Sequence, residues 1–327
     1  MCSESQLIAI MSKFQSFISV VGVVHQAADV AKLSLYIRNV YPVLCDYFTD
    51  FEIVLVNNIP QTNLQSILSD LPPAIKQQVF LLQLASRTDK NHAILAGLDR
   101  SNGDYTIIFD PAFAEEPQVI VQLYEKSLEQ FDIVYLRANN RDSGILYSSL
   151  YAIFYFILRR FSDFDIDDKA HTTRIISRRA LNSLLKLREN LHHLKAVFSI
   201  VGYRTIGIDT ATPLPHDESI GRQFRNSLAV IASYTTFLRS VMLWLFLLSF
   251  LFLVAVVINA LKVKFTQTDI FGNTAVADAG WTFLVVLISV FFAAMTLNLY
   301  IISIYLSNIY TEIKQRPPYI IESVRRF

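Results

Sequence analysis

A carboxylate at the end of a strand is the first chemistry this sequence offers. Tyr105–Phe109 is β-branched or aromatic throughout and reads as a buried strand that halts at Asp110 and Pro111. In an open α/β sheet ligands gather at that end, and an acid there can ligate a metal or orient a sugar-phosphate; an Asp-Pro pair is also a plain turn. Two other apolar runs stop on polar pairs in the same way. Phe17–Val24 ends in His25 and Gln26, and Phe51–Val56 ends in Asn57 and Asn58. Asn57 offers an acceptor and donors to a base edge, and Asn after a strand is equally a turn former. His25 and His92 have no suitably spaced metal partner and read as packing or capping residues.

These strand ends need a sheet to hold them together. Strand-like runs at Phe17–Val24, Phe51–Val56, Val79–Leu84, Asp104–Phe109 and Asp132–Leu136 alternate with helical patterns over Ala28–Phe48, Asn63–Leu71, His92–Leu98 and Glu116–Gln130. The alternation predicts an α/β fold, a mainly parallel sheet with helices on both faces, of nucleotide-binding type. After Ser143 comes GILYSSLYAIFYFILRRF, an apolar segment ending in Arg159 and Arg160, which suits either a helix on a membrane surface or a core helix. Arg174–Leu187 reads as a strand end and helix, Tyr203–Ile208 as a strand, and Gly221–Leu238 as an amphipathic helix.

Hydrophobic residues make up 53% of the 327, above the usual soluble range. The excess lies in Val241–Leu261 and Trp281–Tyr310, neither of which holds a charged residue, and two transmembrane helices are expected. Arg222, Arg225 and Arg239 precede the first and Lys314, Arg316, Arg325 and Arg326 follow the second. The intervening loop carries only Lys262 and Lys264 against Asp269 and Asp278, which predicts cytoplasmic termini. No signal-peptide pattern opens the sequence. A net charge of +1 argues against a nucleic-acid partner, and Cys2 and Cys45 make no disulfide framework or metal spacing.

The order of elements, with SVVGVVHQ, EIVLVNN, SRTDKNHAILAGLDRSNGDYTIIFDPAFAEEPQVI, RIISRRAL, VGYRTIGI and the closing YTEIKQRPPYII, resembles the membrane-anchored family 2 glycosyltransferases of the polyprenyl-phosphate sugar transferase type. The resemblance implies a GT-A nucleotide-sugar-binding core over 1–142 and an acceptor-side and juxtamembrane segment over 143–238. Two transmembrane helices within 239–310 (about 241–261 and 281–306) and a cytoplasmic basic tail over 311–327 complete the expectation. It further implies an integral protein of the bacterial inner membrane with both termini cytoplasmic. Its expected activity is inverting transfer of a hexose from a nucleotide sugar, uridine-linked, to polyprenyl phosphate, in surface polysaccharide or O-antigen (lipopolysaccharide) modification. A homo-oligomer is the expected assembly.

Residue by residue, the resemblance implies Asp110 and Arg174 as catalytic, Val23, His25, Asn57, Arg87, Asp110 and Ala112 as donor-binding, and Arg174, Arg178 and Arg222 as binding the acceptor phosphate. The departures fall at the chemistry. The family's paired acids after the second strand are Asn57 and Asn58 here, its Asp-x-Asp is Asp110-Pro111-Ala112, and its Asp-Phe-Arg-Leu is Thr172-Thr173-Arg174-Ile175. Mg²⁺ or Mn²⁺ would therefore bind more weakly, on Asp110 together with Glu115 or Glu116. The metal-independent variant would stabilise the departing nucleoside diphosphate with Arg87, Lys90, Arg174 or Arg178. A lipid phosphate is already an anion, so no strong general base is needed. The alternative is a catalytically impaired relative that binds a lipid, a nucleotide sugar or a partner. A processive synthase is disfavoured, because the only tryptophans, Trp244 and Trp281, lie in the apolar segments and none forms a Gln-x-x-Arg-Trp motif.

Overall fold

A computed structural model describes residues 13–139, 156, 160, 167, 169–186, 198, 202–213, 237–268, 272, 280–313 and 319–326. In chain order these form β1 (Phe14–Val24), α1 (Ala27–Tyr47), β2 (Phe48–Asn57), α2 (Gln65–Ser69), α3 (Pro73–Lys76), β3 (Val79–Leu84), α4 (Lys90–Arg100) and β4 (Tyr105–Ile108). Then follow α5 (Val119–Leu128), β5 (Ile133–Ala138), β6 (Ala170–Ser177), α6 (Arg178–Lys186), β7 (Thr205–Thr210), α7 (Phe237–Thr266), α8 (Gly280–Ile313) and β8 (Ile321–Arg326). Met1–Ser149, Phe164–Asp217 and Arg316–Phe327 form one compact unit, and Leu150–Asp163 with Glu218–Gln315 a second.

Among the described residues the first unit is built on one sheet in the order β7-β5-β6-β4-β1-β2-β3-β8. Its central strands are apolar on both faces, as strands covered by helices on each side must be. Alternate residues divide between two cores: Ile18, Val20, Ile53, Leu55 and Ile107 pack with Tyr36, Ile37 and Leu123 of α1 and α5. Val21, Val23, Val54, Val56 and Ile108 pack with Ala93, Ile94, Leu98 and Leu181 of α4 and α6. Gly97 sets how close α4 can lie. A Cβ built there would sit 2.3 Å from Val21 Cγ1 and 3.0 Å from Val56 Cγ2, on strands that cannot retreat. Gly97→Ala is expected to lower stability by about 1–3 kcal/mol through overpacking, read as the shift in a urea midpoint.

The sheet departs from the mainly parallel expectation in two places. β6 enters between β4 and β5 and runs antiparallel to both. β8 runs antiparallel along β3, from Phe80 opposite Arg326 to Leu84 opposite Ile321. Hydrophobic periodicity reports which face a strand buries but not its direction, so neither reversal was visible in the pattern. Part of the expected basic tail, Ile321–Arg326, is thus a sheet strand. Tyr319 Oη donates to Asp99 Oδ2 at 2.9 Å, Ala85 N donates to Ile320 O at 2.9 Å, and the Arg326 and Arg100 guanidinium groups lie 5.3 and 4.4 Å from the Phe80 ring centroid. Covering β3 in this way makes β3 an interior strand and leaves β8 as the edge of the sheet.

In the second unit α7 and α8 run 30 and 34 residues. Many of their described apolar side chains are exposed, among them Leu243, Trp244, Leu251, Phe292 and Leu306. Among the described residues no helix is long and apolar enough to cross a membrane. Several side chains within both helices fall outside that description, so the uncharged runs Val241–Leu261 and Trp281–Tyr310 remain a property of the sequence. The apolar segment after Ser143 and the amphipathic segment Gly221–Leu238 lie almost wholly outside the described residues.

Candidate functional site

The carboxyl ends of β1, β2 and β4 and the loop after β3 meet at one edge of the sheet, because these four strands run parallel in adjacent positions. Asp110 follows β4 and caps the 3₁₀ turn Pro111–Phe113: its Oδ1 accepts from Ala112 N at 3.0 Å. Its own N–H donates to Thr173 Oγ1 on β6 at 3.1 Å. Its Oδ2 accepts from Lys90 Nζ at 2.8 Å, with the two side chains 12% and 27% exposed. Tyr36 steadies this strand end from below, donating to Phe109 O at 3.2 Å, and burial pushes its phenol well above the ordinary range. Turn and charged group are therefore the same residue.

Asn58 organises the neighbouring loop. Thr88 N donates to its Oδ1 at 2.9 Å, while its Nδ2 donates to Thr88 O at 2.9 Å and to His25 Nδ1 at 2.7 Å. Since the Thr88 N–H fixes which amide atom is oxygen, His25 Nδ1 must be the acceptor and the ring proton sits on Nε2. Burial, and then the nearby charges of Arg87 and Lys90, lower the His25 pKa from 6.5, so the neutral ring is favoured. Arg87 Nη2 donates to His25 O at 3.2 Å. His25 and Gln26 main-chain N–H groups in turn bond Asp29 Oδ2 at the start of α1.

The other expected site residues are placed differently. Asn57 is fully buried, and its Nδ2 donates to Thr62 O at 2.9 Å and Gln83 Oε1 at 2.7 Å while its Oδ1 accepts from Ile59 N at 3.0 Å. Both amide hydrogens are committed, so of its two readings the geometry realises the turn former. The Val23 side chain packs in the α4 core. Arg174 is only 3% exposed and bonds back onto its own strand, to His171 O at 2.7 Å and Thr172 O at 3.2 Å, with its guanidinium 4.0 Å from the Phe198 ring centroid. Burial lowers its pKa to about 10. Arg178 is not at this edge. Ser177 pairs with Tyr105 at the start of β4, and Arg178 Nη1 donates to Ser101 O at 2.7 Å, so it stands at the opposite end of the sheet from Asp110. Arg222 lies outside the described residues.

A divalent metal does not fit these residues. Both Asp110 oxygens are engaged, Ala112 has no ligand atom, and Glu116 Oε1 lies 3.3 Å from Thr212 Oγ1. Among the described residues no group of three or more His, Cys, Asp or Glu could hold a metal ion. What the sequence reading missed is that Lys90 and Asp110 are a pair, and that Thr88 and Thr173 hold the two strand ends. One signal was available: Lys90 is the first residue of α4, where a cation opposes the helix dipole.

Residues 30–185 match the model of glycosyl transferase family 2. That stretch, just under half of the chain, is similar to family 2 glycosyltransferases. The enzyme class of the chain is glycosyltransferase, and its sheet is of mixed strand direction in an α/β fold. The prophage bactoprenol glucosyl transferase homolog of Escherichia coli K12 is 26% identical to this glycosyltransferase over 283 residues, covering 85% of this chain and 90% of its own. An uncharacterized glycosyltransferase of Synechocystis sp. is 24% identical over 277 residues, covering 84% and 85%. Among solved structures, the mannosyltransferase PcManGT of Pyrobaculum calidifontis in complex with GDP-Man and Mn²⁺ is 16% identical at a TM-score of 0.43, covering 66% of this chain and 61% of its own.

Proposed function

We propose that this glycosyltransferase moves a hexose, with inversion, from a uridine-linked nucleotide sugar to polyprenyl phosphate at the cytoplasmic face of a bacterial inner membrane. The product would serve modification of a surface polysaccharide such as O-antigen. One observation carries the reading: Asp110, Lys90, Arg87, His25 and Asn58 converge at the carboxyl ends of adjacent parallel strands, where α/β sheets take up nucleotides. The likeness to bactoprenol glucosyl transferases over 85% of the chain supports the lipid acceptor. The membrane part rests on Val241–Leu261 and Trp281–Tyr310, each free of charged residues and each lying in a helix of at least 30 residues. At 1.5 Å per residue, about 20 residues cross a hydrocarbon core of about 30 Å.

The chemistry asks little of the protein beyond placement and charge. The acceptor phosphate oxygen attacks the anomeric carbon, the bond from that carbon to the diphosphate oxygen breaks, and the electron pair leaves with the nucleoside diphosphate. No proton has to move. The deciding experiment incubates the purified full chain in detergent with undecaprenyl phosphate and radiolabelled UDP- and GDP-sugars. Label is expected in the lipid fraction from a UDP-hexose. Donor binding with no lipid product from any sugar would instead establish the impaired relative, in keeping with Asn57, Asn58 and Ala112 standing where acids are expected.

A further inference from the structure

We propose that the Lys90 ammonium, anchored on Asp110, takes the part of a divalent metal: it neutralises the departing diphosphate, and transfer proceeds without a metal cofactor. The inference rests on the nucleotide-sugar reading above and deepens it. Three observations carry it. First, a 2.8 Å ion pair occupies the Asp110 oxygen that a bound metal would need, and the other oxygen is spent on Ala112 N. A metal would have to evict a lysine to bind, and would then find no second carboxylate at Ala112.

Second, Lys90 sits where its charge is locally disfavoured. It opens an 11-residue helix whose N-terminus already concentrates positive partial charge, with Asp89 as its cap. A cation at a helix N-terminus, paired with a carboxylate from another strand end, is a local conflict of the kind that marks working sites. Third, a second cation stands on the same loop: Arg87 bonds the main chain of His25, and the paired bonds between Asn58 and Thr88 hold the residues that join Arg87 to Lys90. The depressed His25 pKa, to which burial contributes first and then these two cations, agrees with a positive field there.

In the transfer step the ammonium keeps its proton and donates hydrogen bonds to the oxygen that receives the electron pair. The C–O bond to the acceptor phosphate forms as the C–O bond to the donor diphosphate breaks. Fixed cations of this kind are worth about 10²–10³ in rate. Lys90 also gives Asp110 a charge partner in place of a metal: that partner is built into the chain.

The test uses the full-length protein in detergent and two readouts, lipid-product formation and UDP binding by calorimetry. Wild-type transfer is expected to be the same within about twofold in EDTA and in millimolar Mn²⁺, and Lys90→Met is expected to lower the rate about 100-fold or more. UDP should bind the wild type in EDTA, with affinity reduced about tenfold in Lys90→Met. The variant Lys90→Met with Asp110→Asn, which leaves no unpaired charge, guards against simple misfolding and should be as inactive. Lys90→Asp places two acids together and is expected to gain Mn²⁺-dependent UDP binding. Loss of wild-type transfer or of UDP binding in EDTA, or full activity in Lys90→Met, would overturn the proposal. If no sugar is transferred under any condition the lipid-transfer reading fails by itself, and metal-free UDP binding that depends on Lys90 still decides this one.

Discussion

Asp110→Asn is expected to lower transfer about 100-fold or more while the fold survives. The amide keeps an oxygen at Oδ1 to accept from Ala112 N, so the 3₁₀ turn stays capped, and the main-chain bond to Thr173 Oγ1 is untouched. What disappears is the charge that holds Lys90 at 2.8 Å. In its place an amide N–H2 group would face the ammonium, donor against donor, at the start of a helix whose dipole already repels the cation. Lys90 is 27% exposed and can turn to water, so the stability loss stays well below the 3–5 kcal/mol of a fully buried broken pair and is expected at about 1–2 kcal/mol. A rate effect of 10²–10³ corresponds to about 3–4 kcal/mol of transition-state stabilisation. Single-turnover rates beside thermal midpoints separate the two, and an unchanged rate would count against the whole site.

Arg174→Met is expected to do the reverse: to leave stability unchanged or raised, and still to lower transfer about 100-fold. Arg174 is 3% exposed, and no described carboxylate forms an ion pair with it. Burial lowers its pKa from 12.5 to about 10, and at 1.36 kcal/mol per unit keeping it charged in the fold costs about 3 kcal/mol. The sign is that of a depressed cation: the cost is fully present below the folded pKa of about 10 and is relieved progressively as pH rises from there to the unfolded value of 12.5. Two bonds to carbonyls of its own strand and the face of Phe198 offset part of it. Methionine has similar length and no charge, and such replacements of buried charges are often neutral or stabilising by about 1–4 kcal/mol. A cation kept at that cost beside the site edge suits an anionic acceptor. A lowered midpoint that matches the loss of activity would make Arg174 a structural residue instead.

Legibility in the sequence followed how local each feature is. The position of Asp110 was legible because a β-branched run that stops on an acid is a local pattern, and the structure puts that acid just after β4. Asn57 had two readings that sequence could not separate, since the choice depends on Gln83, 26 residues away, and on Thr62. Arg178 lies away from Asp110 for a topological reason. At the carboxyl end of a parallel strand it would stand beside Asp110, but β6 is antiparallel to β4, so the amino-terminal residues of β6, Thr173 among them, take that position.

The sequence by itself determined which residues are apolar on both faces, hence a helix-covered sheet, where its polar strand ends fall, and that two long uncharged runs follow. Strand direction and the partner of each polar group were decided only in three dimensions. β6 between β4 and β5, β8 on the edge of β3, and Lys90 on Asp110 all join residues whose own periodicity is indifferent to the neighbour they meet. The physical reason is that burial is set residue by residue, whereas pairing depends on close approach between distant elements. Here that approach rests on Gly97, which lets α4 close on β1 and β2 and so delivers Lys90 to the carboxylate.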